Sequence, residues 1–176
     1  MYQIDDGDLV EEVPNVPQPD VGAPLPLVVA DDLRVLLAYL VSEARSRLGR
    51  NLHDREIGID AGRSRCVGDV PTALGSLPRH AQLPNDEAFA GHPLHERGLD
   101  PYMVAEVLNS SWLRRLERMN AVHPSHDPRG YAELRHFVFA FHDTTFECIA
   151  KGLSVEVRRG SLREVAHQML DERVVE

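Results

Sequence analysis

Lysine is nearly absent from this chain: Lys151 stands alone among 176 residues, so arginine carries almost all the basic charge. Cysteine is scarce as well. Cys66 and Cys148 lie far apart and no Cys-x-x-Cys occurs, which argues against a disulfide framework and against a thiolate zinc site. No apolar run approaches the roughly 20 residues that a membrane-spanning helix needs. The opening Met1-Tyr2-Gln3-Ile4-Asp5-Asp6 lacks the basic and apolar regions of a signal peptide. These absences predict a cytoplasmic chain with no membrane partner. Named catalytic spacings are missing too: there is no G-x-S-x-G elbow, P-loop, GxGxxG or HExxH. Motifs alone therefore do not decide whether the chain is an enzyme.

What is present is unevenly placed. Residues 1–32 hold Asp5, Asp6, Asp8, Glu11, Glu12, Asp20, Asp31 and Asp32 and no base, a charge of −8 out of the total −9. The remaining 20 acids and 19 bases leave the body near −1. A nearly neutral body without a basic patch lacks the electrostatic footprint of a nucleic-acid binder. Arg114, Arg115 and Arg118 read as one solvated helix face. Residues 1–24, with Pro14, Pro17, Pro19 and Pro24 among acids, predict an acidic arm that is disordered or extended. Residues 25–176 then form a single domain, with order expected from near Pro26.

The fold class predicted is α+β: a small antiparallel or mixed sheet, including a 135–150 hairpin, packed against helices. Within it, Leu33, Leu36, Leu37, Leu40, Ala44 and Leu48 follow helical spacing, although Val28–Ala30 and Val35–Val41 also read as two strands; the longer period favours the helix. Residues 50–100 are poorly periodic, with a short strand expected at Glu56–Ile59, and a stretch of that kind is often functional. Tyr102–Leu108 reads as a strand leading into a helix capped by Asn109, Ser110 or Ser111, with Trp112, Leu113, Leu116 and Met119 inward; one continuous helix from Pro101 is the competitor. Asp127-Pro128 starts a turn or short helix. Arg135–His142 alternates, with Phe137, Phe139 and Phe141 on one face and His136, Val138, Ala140 and His142 on the other. Leu153–Val157 is expected to continue that sheet. Ser161-Leu162-Arg163-Glu164 is a capping box, followed by a stripe of Leu162, Val165, Ala166, Met169 and Leu170.

Two segments carry the chemistry. With the hairpin turn centred on Thr144 and Thr145, Glu147 falls opposite His142, a histidine beside a carboxylate suited to general acid/base work. His142 and Glu147 are thus the candidate catalytic pair, against the plainer reading of a structural pair and a turn. The second segment, with Asn85, Asp86, Glu87, His92, His95 and Arg97 in a Gly- and Pro-rich loop, is a candidate binding surface together with Asn109 and Trp112. Trp112 reads better as core or an interface anchor than as a substrate platform, and Asn85 and Asp86 read equally as turn formers. A divalent metal cofactor would take His92, His142 and Asp86 as ligands, since zinc and iron accept mixed histidine and carboxylate sets. His123 and His126 read as exposed loop histidines, and Cys148 as a buried small hydrophobe.

The leading expectation is a non-catalytic binding or accessory protein that recognises a protein partner or a small ligand, with partner capture or self-association through the acidic arm. The alternative is a small metal-dependent enzyme, hydrolytic in type, whose His142 and 84–97 loop residues must converge within a few ångströms.

Overall fold

Between Arg34 and Leu40 the chain is apolar at nearly every position, so its periodicity alone cannot choose between helix and strand. The computed structural model of the chain, which describes residues 4–21, 26–30, 34–41, 64–71, 79–82 and 86–173, resolves it as a strand. Val35, Leu37, Tyr39 and Val41 face one core and Leu36 and Ala38 face another. Burial on both faces removes the polar alternation that would have marked a strand, and the helix expected there is corrected. Residues 42–48 lie outside the described residues.

Among the described residues nine strands form two antiparallel sheets. Sheet one runs β1 (Leu9–Glu12), β6 (Val104–Leu108), β7 (Arg135–Ala140), β8 (Thr144–Ala150), β5 (Arg79–Gln82). Sheet two runs β2 (Leu27–Ala30), β3 (Arg34–Leu40), β4 (Ser64–Pro71), β9 (Ser154–Arg159). Three helices follow in chain order: α1 (Ser111–Asn120), α2 (Pro128–Ala132) and α3 (Leu162–Arg173). Two short 3₁₀ helices, Asp86–Gly91 and His95–Arg97, precede them. The α+β expectation and the 135–150 hairpin hold. The expected β9 neighbour does not: β9 pairs with β4 in the second sheet rather than continuing past β8. Residues 50–100, read as poorly periodic, contain β4 in the middle of the second sheet. The Glu56–Ile59 strand falls outside the described residues.

The layers follow from which faces are apolar. Phe137, Phe139, Phe141, Phe146, Cys148 and Val104 meet Val35, Leu37, Tyr39 and Val41 between the sheets. Tyr39 lies edge-on to Phe141 at 5.5 Å between centroids, the tilted geometry that the ring quadrupoles favour. On the far side of sheet two, α3 lays Val165, Ala166 and Met169 on Leu36 and Ala38. Its capping box forms as the sequence requires: Glu164 N–H donates to Ser161 Oγ at 3.2 Å and Ser161 N–H donates to Glu164 Oε2 at 3.0 Å. On the far side of sheet one, Phe89, Leu94, Leu99 and Trp112 cover Ala105, Val107, Val138, Ala140 and Ile149. The order is helix, sheet, sheet, and a mixed layer made of the 86–100 segment and α1. Among the described residues no helix is long and apolar enough to cross a membrane.

The acidic arm is extended, and its contacts begin well before Pro26. β1 adds to the edge of sheet one, Val13 and Val16 pack on the inter-sheet core, and Pro19 bridges to Val41 of the other sheet. Tyr39 Oη–H donates to the Pro17 carbonyl at 2.7 Å. Residues 4–21 therefore tie the two sheets together. Several of their acids find partners within the chain: Asp5 pairs with Arg114, Asp6 with Arg97 at 2.7 Å, and Asp8 is fully buried against α1. The Arg114 guanidinium holds the Asp5 carboxyl below the usual carboxylate range.

Candidate functional site

The hairpin turn decides which acid meets which histidine. Ala140 pairs with Thr145 and Phe141 N–H donates to the Thr144 carbonyl at 2.9 Å, so the loop is His142-Asp143. The expected turn at Thr144-Thr145 lies two residues too late. The observed register sets Glu147 opposite Val138 rather than opposite His142. His142 is then four residues further along, on the order of 13 Å at the strand rise. The predicted His142–Glu147 pair is corrected for that reason. Side-chain parity survives the shift, because two residues of turn displacement move the pairing by four, and Glu147 stays on the His136 face.

On that face Glu147 meets His136, whose Nε2–H donates to Glu147 Oε2 at 3.0 Å. Ser110 completes the chain on the other side of the ring, with its Oγ 2.9 Å from His136 Nδ1. Ser110 is the N-cap of α1 and its Oγ accepts the Leu113 N–H at 3.1 Å. With the Nε2 proton directed at Glu147, a neutral His136 ring accepts the Ser110 hydroxyl proton at Nδ1. Trp112 stands edge-on to the His136 ring at 5.0 Å. Of the three caps that the sequence offered, Asn109, Ser110 and Ser111, the structure uses Ser110; Trp112, placed on the candidate binding surface, is instead buried in the core, which corrects that assignment. The link from Ser110 to His136 needed the fold, because 26 residues separate them.

His92 approaches Glu147 from the covering layer. Its Nδ1 accepts the Leu94 N–H at 3.2 Å and its ring stacks on Phe89 at 5.8 Å between centroids. An accepting Nδ1 leaves the neutral ring's proton on Nε2, and that N–H faces Glu147 Oε1 across 3.8 Å. This is too long for a hydrogen bond, and Nε2 is buried without a hydrogen-bond partner among the described residues. Burial pushes the His92 pKa below the ordinary histidine value; the Glu147 carboxylate opposes this, while His95 and His136 add to it. A histidine that is harder to protonate when folded stabilises the fold above its unfolded pKa of 6.5, and the stabilisation is lost as pH falls from there. Urea unfolding midpoints are therefore expected to drop between about pH 7 and pH 5. They should drop less in His92→Asn, whose side-chain oxygen can still accept the Leu94 N–H. An equal pH response in the two proteins would contradict the role given to His92.

Ser110, His136 and Glu147 stand in the order of a nucleophile, base and acid. Their burial argues for a structural network instead: Ser110 and Glu147 are 4% exposed and His136 is 0%, and the serine oxygen is already engaged as a helix cap. No family model, curated protein or solved structure matches this chain. The function must be argued from its own residues.

The other predicted residues separate. His142 Nδ1–H donates to Asp143 Oδ1 at 2.6 Å, and its ring lies 6.2 Å from that of Tyr102. Tyr102 itself sits at φ 59°, a left-handed conformation costly for a bulky residue. His95 Nδ1–H donates to the Leu99 carbonyl at 3.2 Å, and Arg97 is held by Asp6. Asn109, exposed at φ 52°, makes the turn from β6 into α1, and its carbonyl accepts from Arg114. Met119, expected to point inward, is 61% exposed because α1 buries only its first turns. Asp86 and Glu87 start the first 3₁₀ helix, their side chains lying outside the described residues, as Asn85 does entirely. Among the described residues no three metal-binding side chains cluster. The proposed set of His92, His142 and Asp86 also meets two direct obstacles. His142 belongs to the hairpin tip, and the His92 tautomer offers a proton rather than a lone pair at Nε2. Cys148 is buried, and burial pushes its thiol far above the usual range, so it presents no reactive thiolate.

Proposed function

We propose that this chain is a non-catalytic, cytoplasmic binding protein that recognises a basic, extended segment of a protein partner along the outer edge of β1. The observation that carries the reading is the edge itself. β1 is the terminal strand of sheet one, and Glu11 and Glu12 are exposed on it beside half-exposed Leu9. Edge strands are templates for strand addition, and charges on them select the sequence that can add. Two successive acids, one on each face of a short edge, repel a second copy of the same strand and favour lysine or arginine at neighbouring positions of the added strand. The sealing of Ser110, His136 and Glu147 supports a role exercised through the surface.

The test is fluorescence anisotropy with an extended lysine–valine peptide that carries its lysines as adjacent pairs, against its glutamate–valine counterpart. The basic peptide should bind, and Glu11→Lys with Glu12→Lys should weaken it by about tenfold, about 1.4 kcal/mol. Binding should also fall with added salt, since exposed charges are screened within about 10 Å at 0.1 M. Equal binding of both peptides, or no effect of the double reversal, would sink the reading.

A further inference from the structure

We propose that the segment added to β1 runs antiparallel to it and reads, from its own N-terminus, as two basic residues, a small residue and an apolar one. This pairing rests on strand addition at β1, the function proposed for the chain, and specifies the sequence that the edge selects.

The backbone sets the length of the match. Val13 N–H donates to the Val104 carbonyl at 3.0 Å, in the same register that pairs Glu11 with Glu106 and Leu9 with Leu108. Hydrogen-bonded positions alternate along an antiparallel pair. Leu9, Glu11 and Val13 therefore point their amides and carbonyls at β6, and Val10 and Glu12 turn theirs to the outer edge. That edge is closed at both ends. Before it, Asp8 N–H already donates to the Asp5 carbonyl at 3.2 Å. After it, the next outward position is Pro14, which has no N–H to give. Val10 and Glu12 together offer donors and acceptors enough for a stretch of about four residues. An antiparallel segment meets each of them with a pair of bonds, and it is the more stable direction per residue.

Side chains then fix the sequence. Directly opposite residues share a face, and at non-hydrogen-bonded positions the side chains come closest. Across the new pairing those positions are Leu9 and Glu11. Glu11 is exposed, and its β6 neighbour Glu106 is already taken by Arg135, whose Nε–H donates to it at 2.9 Å. Among the described residues no base pairs with Glu11, so the partner supplies the cation opposite it. Glu12 accepts from Gln18 Nε2 at 3.3 Å, so the base opposite Glu12 contributes less. Leu9 is 50% exposed and takes the apolar residue. Val10 lies between them on the other face, where a Cβ on Gly98 would come within 3.3 Å of the Val10 carbonyl. Glycine keeps that oxygen within reach. The partner residue opposite Val10 enters this narrow side and must be small, such as alanine or valine.

The test compares two peptides by fluorescence anisotropy on the full chain. One is centred on lysine–lysine–alanine–leucine and the other on the reversed order, leucine–alanine–lysine–lysine. They share charge and composition, so the net charge of −9 attracts both equally. The forward peptide should bind about tenfold tighter, and tryptophan in place of its alanine should cost about as much. Glu11→Gln should weaken the forward peptide more than Glu12→Gln does. Amide exchange followed by NMR reads the backbone: bound peptide should slow Val10 and Glu12 and leave Glu11, which already faces β6, unchanged. Equal affinity for the two orders, with Glu11→Lys and Glu12→Lys together still weakening both, overturns the sequence assignment and leaves strand addition standing. Failure of both peptides to bind overturns the two together. Slowed exchange at Glu11 instead of at Val10 and Glu12 refutes the pairing.

Discussion

Glu147→Ala is expected to destabilise the chain by about 2–4 kcal/mol, because it leaves a buried donor without its acceptor and a cavity in place of the side chain. The carboxylate accepts His136 Nε2–H at 3.0 Å from the neighbouring strand and faces His92 Nε2–H at 3.8 Å from the layer that covers sheet one. Truncation strands the His136 donor and leaves a cavity between Val138 and the 86–100 wall. Glu147→Gln separates charge from shape. Its amide oxygen still accepts from His136, so a smaller loss, about 1–2 kcal/mol, is expected. Chemical denaturation of both variants at neutral pH reads the difference. If alanine costs no more than glutamine, Glu147 is not the hub of this network.

The second large effect belongs to the arm. Asp8 is fully buried, and its two oxygens accept the Ser111 N–H, the Ser111 hydroxyl at 2.7 Å and the Asp5 N–H at 2.9 Å. It acts as a helix cap supplied from 103 residues away, serving a first-turn amide that the Ser110 side chain does not reach. Asp8→Ala loses this cap and leaves buried donors unsatisfied, together about 3 kcal/mol. For a chain of this length that corresponds to a melting temperature lower by about 10 °C. The loss should be accompanied by protease cleavage within residues 4–21, because Asp8 is where the arm is anchored to α1. A lowered melting temperature with an arm as resistant as in the wild type would show that Asp8 serves the helix alone. The arm must stay in place for β1 to offer its edge, so the same variant should also lose binding of the lysine–valine peptide.

How far these features were legible beforehand differs from residue to residue. The capping box at Ser161–Glu164 and the alternating Phe137, Phe139 and Phe141 could be read directly, because each depends on neighbours within a few positions, whereas residues 101–109 read equally as a strand before a helix and as one continuous helix. β3 could not. A strand buried on both faces carries the same apolar run as a helix, and its identity came from β2 and β4 on either side. The partner of Glu147 was misplaced for a smaller reason. Asp143, Thr144 and Thr145 are all acceptable turn residues, and a two-residue choice among them exchanges His142 for Val138 across the ladder while leaving the face unchanged. His136 was visible on the correct face; only a register set by the whole sheet brings it diagonally to Glu147.

The amino-acid sequence by itself determined the α+β class, the 135–150 hairpin and the start of α3, since local patterns and short-range hydrogen bonds specify these, and it left the acidic arm as either disordered or extended. Tertiary structure alone decided that β9 joins the second sheet, that Asp8 caps a helix across the fold, and that Ser110, His136, Glu147 and His92 gather under the 86–100 segment. Each of those joins residues far apart in the chain. Burial of apolar faces brings such residues together, and no local spacing records where that burial will place them.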